Sequence, residues 1–520
     1  MAPGPRRRSA QGRLHGSDRR LVSRQAARSS RRGPARSPHA RARPVSRAAR
    51  TRPGRRAPRG RRRSCLQDLD AAPTRAVVSH LHRPVASRGP GRAAHRVNVA
   101  TSGRPQKGLQ LLEVGVRWPP ETFLRQKLEA LAASGLRVIV ASRAIFDAEA
   151  RLPGVVLLEI PPSGISRWRQ ARVLAGAGLV LLVTAPRRLA RLWRSIRRVP
   201  PAARSRYGGT PGLLAMYARL ARLRPDVVHF EWTTSATAYM ALFEVWRCPV
   251  VVSCRGTIDP HIPGREHHLS RLPELFRRAD AVHCVSESLE REVVGLGLDP
   301  SKARVIATGV DPLVFRPPAR DGTGNRRPDD GIFRIVTIGW LRWMKGYEYA
   351  LEAIGTLVAR GMPTRYSIIG AAPPELRGRL GERERILHTV ADLELGEHVH
   401  LRGGLGTAEI VAALQGSDVL LHPSIDEGLP NVVVEAMACG VPVVATDCGG
   451  VGEALVDGVQ GLLVRPRDPD ALAAALERLG RSPALRGRMG DAGRATVFAR
   501  FTLERHRDQF LSLYRELASR

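Results

Sequence analysis

From Leu109 onward, apolar runs of four to eight residues alternate with longer segments whose apolar residues repeat at helical spacing, and this alternation restricts the fold more than any other feature. LQLLEVGV (109–116) is followed, past Pro119 and Pro120, by ETFLRQKLEALAASG (121–135), which ends at Gly135, and then by RVIVAS (137–142). A strand, a helix and a strand in that order close a βαβ crossover, so the strands run parallel. DVVHF (226–230), PVVVSC (249–254), AVHCVS (281–286) and RVIAT (304–308) extend the series. RPPARDGTGNRRPDDG (316–331) interrupts it with proline, glycine and charge and no periodicity. The pattern then restarts with FRIVTIG (333–339), YSIIG (366–370), HVHLRG (398–403), DVLLHPS (418–424), PVVATD (442–447) and GLLV (461–464). The expected fold is α/β, with two doubly wound domains facing a cleft at the C-terminal ends of their strands, where such sheets bind ligands.

Charge separates this globular part from what precedes it. The net charge is +37, yet residues 1–100 alone hold 27 Arg, no Lys and three acids, leaving +13 for the remaining 420 residues. Residues 1–107 have too few apolar runs to offset the entropy of ordering and read as a disordered Arg-rich tail or an over-extended start. A nucleic-acid arm is the competing reading, but residues 1–100 lack lysines and the segment lacks stacking aromatics, so no nucleic-acid partner is expected. The six cysteines form no CxxC pair or metal-spaced cluster, which fits a reducing cytosol. No apolar stretch reaches the roughly 18 to 20 residues that span a bilayer. The expected location is therefore cytoplasmic.

One stretch points to a surface. Between Glu159 and Asp226 there is no acid, while eleven Arg at 167–206 flank the apolar run VLAGAGLVLLV (173–183). Such a segment can lie in a membrane interface with its arginines on anionic headgroups, or form an ordinary helix with a solvated basic face. A peripheral position on the inner face of the plasma membrane is the expectation.

The chemistry concentrates in SIDEGLPNVVVEAMACG (424–440), which starts at a strand end and runs into a helix. Gly428 permits close approach of a ligand, and the helix N-terminus offers N–H groups suited to a diphosphate. Glu435 suits a ribose diol and Glu427 suits sugar hydroxyls, because an ionised carboxylate accepts two hydroxyl hydrogen bonds.

With these landmarks in order, residues 109–516 resemble the retaining glycosyltransferases of family 4, which have the GT-B fold of two Rossmann-like domains. RPDVVHFEW, ADAVHCVSESL, TGVDPLVFRP, IGWLRWMKGYEYALEAI, the paired-glutamate block and GGVGEALVDGVQGLLVRPRDPDALA all carry the resemblance. The ETF and EGLPN forms look like the bacterial branch that builds exopolysaccharide or capsule. The resemblance implies an acceptor domain at 108–318, a linker at 319–332, a nucleotide-sugar donor domain at 333–496 and a C-terminal helix, 497–520, crossing back to the first domain. It also implies that Lys345 binds the donor diphosphate, Glu427 holds the transferred sugar with the N–H groups of Gly428 and Leu429, Glu435 takes the ribose, and Leu405 frames the base. Ser424 reads as loop structure or as a ligand contact.

Three positions depart from the family pattern. Trp340 stands where Arg is usual, with Arg342 two residues on as its replacement; Arg255 stands where His is usual before Gly256; and Ala372 replaces a turn glycine. An always-charged Arg255 cannot serve as a base but can stabilise phosphate charge, and Asp259 is placed to orient it. Glu231 and Trp232 are candidates for the acceptor side, His229 reads as a core histidine and Ser286 as a capping serine. The expected activity is hexosyl transfer, with retention, from a nucleotide diphosphate sugar to a saccharide or lipid-linked saccharide in polysaccharide biosynthesis, with no cofactor and no metal. The alternatives are a non-catalytic nucleotide-sugar-binding subunit and a nucleotide-sugar epimerase.

Overall fold

The computed structural model describes residues 108–143, 145, 147, 150–161, 167–205, 207–256, 266–318, 330–372 and 381–520. The Arg-rich segment 1–107, linker residues 319–329, Arg206 and Asp259 lie outside the described residues.

The first sheet has seven strands: β1 (Gln110–Val114), β2 (Arg137–Ser142), β3 (Val155–Glu159), β4 (Val227–Phe230), β5 (Val250–Cys254), β6 (Ala281–Cys284) and β7 (Ala303–Val305). The second has six: β8 (Phe333–Ile338), β9 (Thr364–Ile369), β10 (Val399–Gly403), β11 (Val419–His422), β12 (Val443–Thr446) and β13 (Gly461–Val464). Their orders are β3-β2-β1-β4-β5-β6-β7 and β10-β9-β8-β11-β12-β13. All pairings are parallel. Each order reverses once, between β1 and β4 and between β8 and β11, and a doubly wound sheet binds its ligand at that switch point.

The apolar runs became strands because both faces of each sheet are covered: every residue of β4, β5, β6, β11 and β12 is buried. β3 escaped the sequence reading. It is an edge strand whose residues are only half-buried or exposed, and its short apolar run, VVLL (155–158), was not taken up in the sequence series.

The helix Leu503–Ala518 leaves the second domain and packs on the first. Phe510, Leu511, Leu513, Tyr514 and Leu517 join Leu124, Leu128 and Leu131 of the helix Thr122–Ala133 in one core cluster with residues of β1, β2, β4 and β5. The basic stretch forms the helices Arg167–Val173, Leu179–Thr184, Pro186–Arg198 and Pro201–Ser205, the first two joined by a π-helical turn, Leu174–Gly178. Among the described residues, no helix is long and apolar enough to cross a membrane.

Candidate functional site

The site on the second domain is built at the β8/β11 switch point. After β8 the chain passes Trp340 and Arg342 and makes a short 3-10 turn, Trp343–Lys345, closed by Gly346 at φ 64°. A Cβ at Gly346 would lie 2.1 Å from the Pro423 carbonyl oxygen, so only glycine lets the Lys345 turn press against the loop after β11. The Ile425 amide donates to the Met344 carbonyl at 2.8 Å and locks the two loops together.

That contact brings the predicted pair into register. Lys345 Nζ donates to Glu427 Oε1, and the same oxygen accepts from Ser424 Oγ at 2.8 Å and lies 3.2 Å from His422 Nε2. Burial works against the Glu427 charge, but Lys345 and then His422 outweigh it and hold the carboxyl far below its usual range. His422, the last residue of β11, is wholly buried, and that burial lowers its own pKa. Ser424 is buried as well, so its hydroxyl supports Glu427 and its part is that of a structural brace.

Gly428 and Leu429 are buried and lead into the helix Asn431–Ala438, whose N-terminus has no side-chain cap. An uncapped helix N-terminus of this kind favours an anion. Glu435 lies on this helix, with no hydrogen-bonded or ionic side-chain partner among the described residues, and burial pushes its carboxyl up to about 7. Leu405 is half-buried in the loop after β10. Leu341 is turned into the core while Trp340 and Arg342 on either side of it are more exposed, as alternation requires for Arg342 to stand in for an arginine at 340.

Across the cleft, Arg255 directly follows β5. A Cβ on Gly428 would lie 2.5 Å from the Arg255 carbonyl oxygen, so the glutamate loop of one domain abuts the Arg255 turn of the other. The guanidinium stacks 4.9 Å from the Phe123 ring, and its Nε donates to Glu231 Oε2 at 2.6 Å. Glu231 is fully buried. Its carboxylate is paired with Arg255 and Lys127. Trp232 is half-buried at the start of the helix Thr233–Tyr239.

Several residues that sequence reasoning passed over complete the picture. Lys127 and Glu113 are wholly buried and form an ion pair at 3.0 Å. His229 Nδ1 accepts from Lys127 at 3.0 Å and also lies 2.7 Å from the Tyr514 hydroxyl, which leaves Nε2–H to donate to Ser253 Oγ at 2.8 Å. Ser253 in turn donates to His283 Nδ1 at 2.7 Å, and His283 Nε2–H donates to the Ile306 carbonyl. Burial, and then the charge of Arg255, holds the His283 pKa well below its ordinary value.

Glu113, His229 and Glu231 have the composition and closeness of a metal-ligand set. The position among them is already taken by the Lys127 ammonium, and a cation at coordination distances of about 2 Å would have to displace it. Glu453 links the two halves: its oxygens accept from the backbone amides of Glu287 (2.8 Å) and Ser288 (2.7 Å), at the N-terminus of the helix Glu287–Gly295, which Ser286 caps from within its own domain.

Two facing domains of this topology, with a lysine, two glutamates and an open helix N-terminus at the second switch point, define the GT-B class of fold. Residues 120–312 match the family described as Glycosyltransferase Family 4, and residues 325–496 match Glycosyl transferases group 1. The chain belongs to glycosyltransferase family 4. It is 35% identical over 294 residues to a D-inositol 3-phosphate glycosyltransferase of Frankia alni, an alignment covering 52% of this chain and 70% of that one. It is 31% identical over 221 residues, 41% of this chain, to WcaL of Salmonella typhimurium, provisionally named a colanic acid biosynthesis glycosyltransferase; only 51% of WcaL is spanned. Among solved structures, a sucrose-phosphate synthase of Thermosynechococcus elongatus aligns with a TM-score of 0.61 at 23% identity, covering 79% of this chain and 99% of that one. HepE of Anabaena, solved with UDP and glucose, aligns at 0.59 and 18%, covering 78% and 99%. These likenesses are of fold.

Proposed function

We propose that the chain is a retaining glycosyltransferase that moves a sugar from a nucleotide diphosphate sugar to a hydroxyl of a saccharide or lipid-linked saccharide in polysaccharide biosynthesis. The observation that carries this reading is the pairing of Lys345 with Glu427 beside the uncapped helix N-terminus that leads to Glu435. An ammonium at the end of a glycine turn can exchange its carboxylate for a phosphate, which frees Glu427 for the sugar hydroxyls. The leaving diphosphate then meets Lys345, Arg342 or Arg255 and the amides of the loop and helix, so that catalysis is preorganised electrostatics with no metal. Retention follows if the acceptor attacks from the face the diphosphate leaves, the departing oxygen taking the hydroxyl proton. HepE supports a uridine nucleotide as the first donor to test, and the WcaL likeness supports a polysaccharide pathway.

The basic stretch supports a membrane-proximal acceptor. Trp168 (85% exposed), Val183 (74%), Leu179, Leu182 and Trp193 project from a region where Arg172, Arg187, Arg194 and Arg197 are also exposed. Apolar side chains ringed by arginines suit the interface of an anionic bilayer. A location on the cytoplasmic face of the membrane accords with this.

Incubating the full chain with UDP-, GDP- and ADP-sugars and a panel of saccharide and lipid-linked acceptors tests the reading, with the anomeric configuration of the product read by NMR. A product of retained configuration is expected. Inversion would refute the mechanism, and turnover of donor without any acceptor would favour an epimerase. Sedimentation with vesicles of neutral lipid, with and without anionic lipid, tests the surface; binding only to the anionic vesicles is expected, and equal binding to both would contradict it.

A further inference from the structure

The ion cluster beneath Arg255 is the feature the donor site leaves unexplained. Glu113, Lys127 and Glu231 are fully buried, and burying charge is costly unless every charge is paired. The two carboxylates exceed what Arg255 alone can balance. Lys127 supplies the second positive charge, reaching Glu113 Oε1, Glu231 Oε1 and His229 Nδ1 at once. With Oε1 of Glu231 held by Lys127, the other oxygen, Oε2, is fixed in place, and both Nε and Nη2 of Arg255 lie on it at 2.6 and 2.5 Å. The guanidinium is thus located from below by a carboxylate that cannot rotate, while the carbonyl of the same residue abuts Gly428.

We propose that Lys127 is a positioning residue: through Glu231 it aims the Arg255 guanidinium at the donor diphosphate beside the glutamate loop. The inference rests on the donor-site reading above. It explains why an arginine works at this place. A long guanidinium on a mobile carboxylate would fold down into the ion pair, whereas one seated on a clamped oxygen keeps a fixed position. The clamp extends to the C-terminal helix, since Lys127 lies 4.2 Å from the Phe510 ring and shares His229 with Tyr514.

The test compares a nucleotide with its nucleoside. UDP and uridine, with GDP, ADP and their nucleosides in parallel, are titrated against the full chain by calorimetry, together with Lys127→Met, Arg255→Met and both combined. Because Lys127→Met leaves two buried carboxylates against one arginine and can fail to fold, Glu113→Gln/Lys127→Met, which removes one charge of each sign, serves as its folded counterpart. The expected result is a loss of at least about ten-fold in nucleotide diphosphate affinity, the size of a lost charge-assisted hydrogen bond, with nucleoside affinity unchanged. Adding the Lys127 change to Arg255→Met should cost no further affinity, because both act on one contact. Equal loss for nucleotide and nucleoside would mean a merely structural lysine, and unchanged diphosphate affinity or strict additivity with Arg255→Met would overturn the proposal. Failure of the wild-type chain to bind any nucleotide would instead remove the donor-site reading, and the proposal with it.

Discussion

On the second-domain side of the cleft, Lys345 and Glu427 pair with side chains still 19% and 13% exposed, and Glu435 has no side-chain partner among the described residues. On the first-domain side, Lys127, Glu113 and Glu231 are wholly buried and each is paired. The same residue types serve different ends. A partly exposed pair can trade partners with a ligand at modest cost, whereas a buried cluster is fixed, because removing any member strands another charge. The second-domain wall keeps its paired charge partly exposed, and the opposite wall buries its own beneath Arg255.

This contrast can be broken in several ways. The largest stability effect is expected from Lys127→Met, which should lower unfolding free energy by ~3–5 kcal/mol; Lys345→Met should lower it by no more than about 1 kcal/mol. Denaturant titration of both variants checks this, and equal losses would erase the distinction between the walls. In function the order reverses. Glu427→Ala should leave the fold intact and slow sugar transfer by ~10²–10³-fold, the scale of a lost electrostatic contact in a transition state.

The two glutamates of the donor wall also oppose each other in pH. Glu435, raised to about 7 in the fold, adds stability that is present below its unfolded value and is lost as pH rises through about 7. Glu427 is depressed, so its contribution is present above the unfolded value and is lost as pH falls toward its folded one. For binding, Glu435 must be ionised to accept both ribose hydroxyls, so nucleotide affinity should fall below pH 7, by up to about ten-fold per unit. Glu435→Gln should flatten that step; a step of equal size in the variant would assign it to another group. The smallest effect is expected at the link between the halves. Glu453→Gln weakens a charged cap on the helix Glu287–Gly295 and should cost about 1 kcal/mol, read as a small drop in melting temperature; no change would mean that the contact adds nothing to the pairing of the domains.

The donor wall was legible in the sequence because its residues cluster: 424–440 carries both glutamates, the serine and the glycine in one span, and Lys345 announces itself beside Gly346. The strands were legible because burial on both faces leaves uninterrupted apolar runs. The opposite wall was not, because its members come from four separate segments and each passes for something ordinary. Glu113 interrupts an apolar strand, and Lys127 looks like one more polar residue on an amphipathic helix. His229 reads as a core histidine, and it is buried, but only the fold shows that it sits against Lys127 and Tyr514. Glu231 stands out in the sequence only because it follows a strand; its pairing with Arg255 and Lys127 is visible only in three dimensions. Glu453 was missed for the same reason, since its partners lie in the other domain, whereas His422 was passed over although its partner Glu427 lies in the loop directly after it.

The account's central claim is that the second-domain wall is a nucleotide site with Glu435 on the ribose. Calorimetric titration of UDP, GDP and ADP against the full chain and against Glu435→Ala tests it most directly. The account predicts that one nucleotide binds selectively and that the variant weakens it by about ten-fold or more. Binding of none of the three by folded wild-type protein, or binding that the variant leaves unchanged, would contradict it.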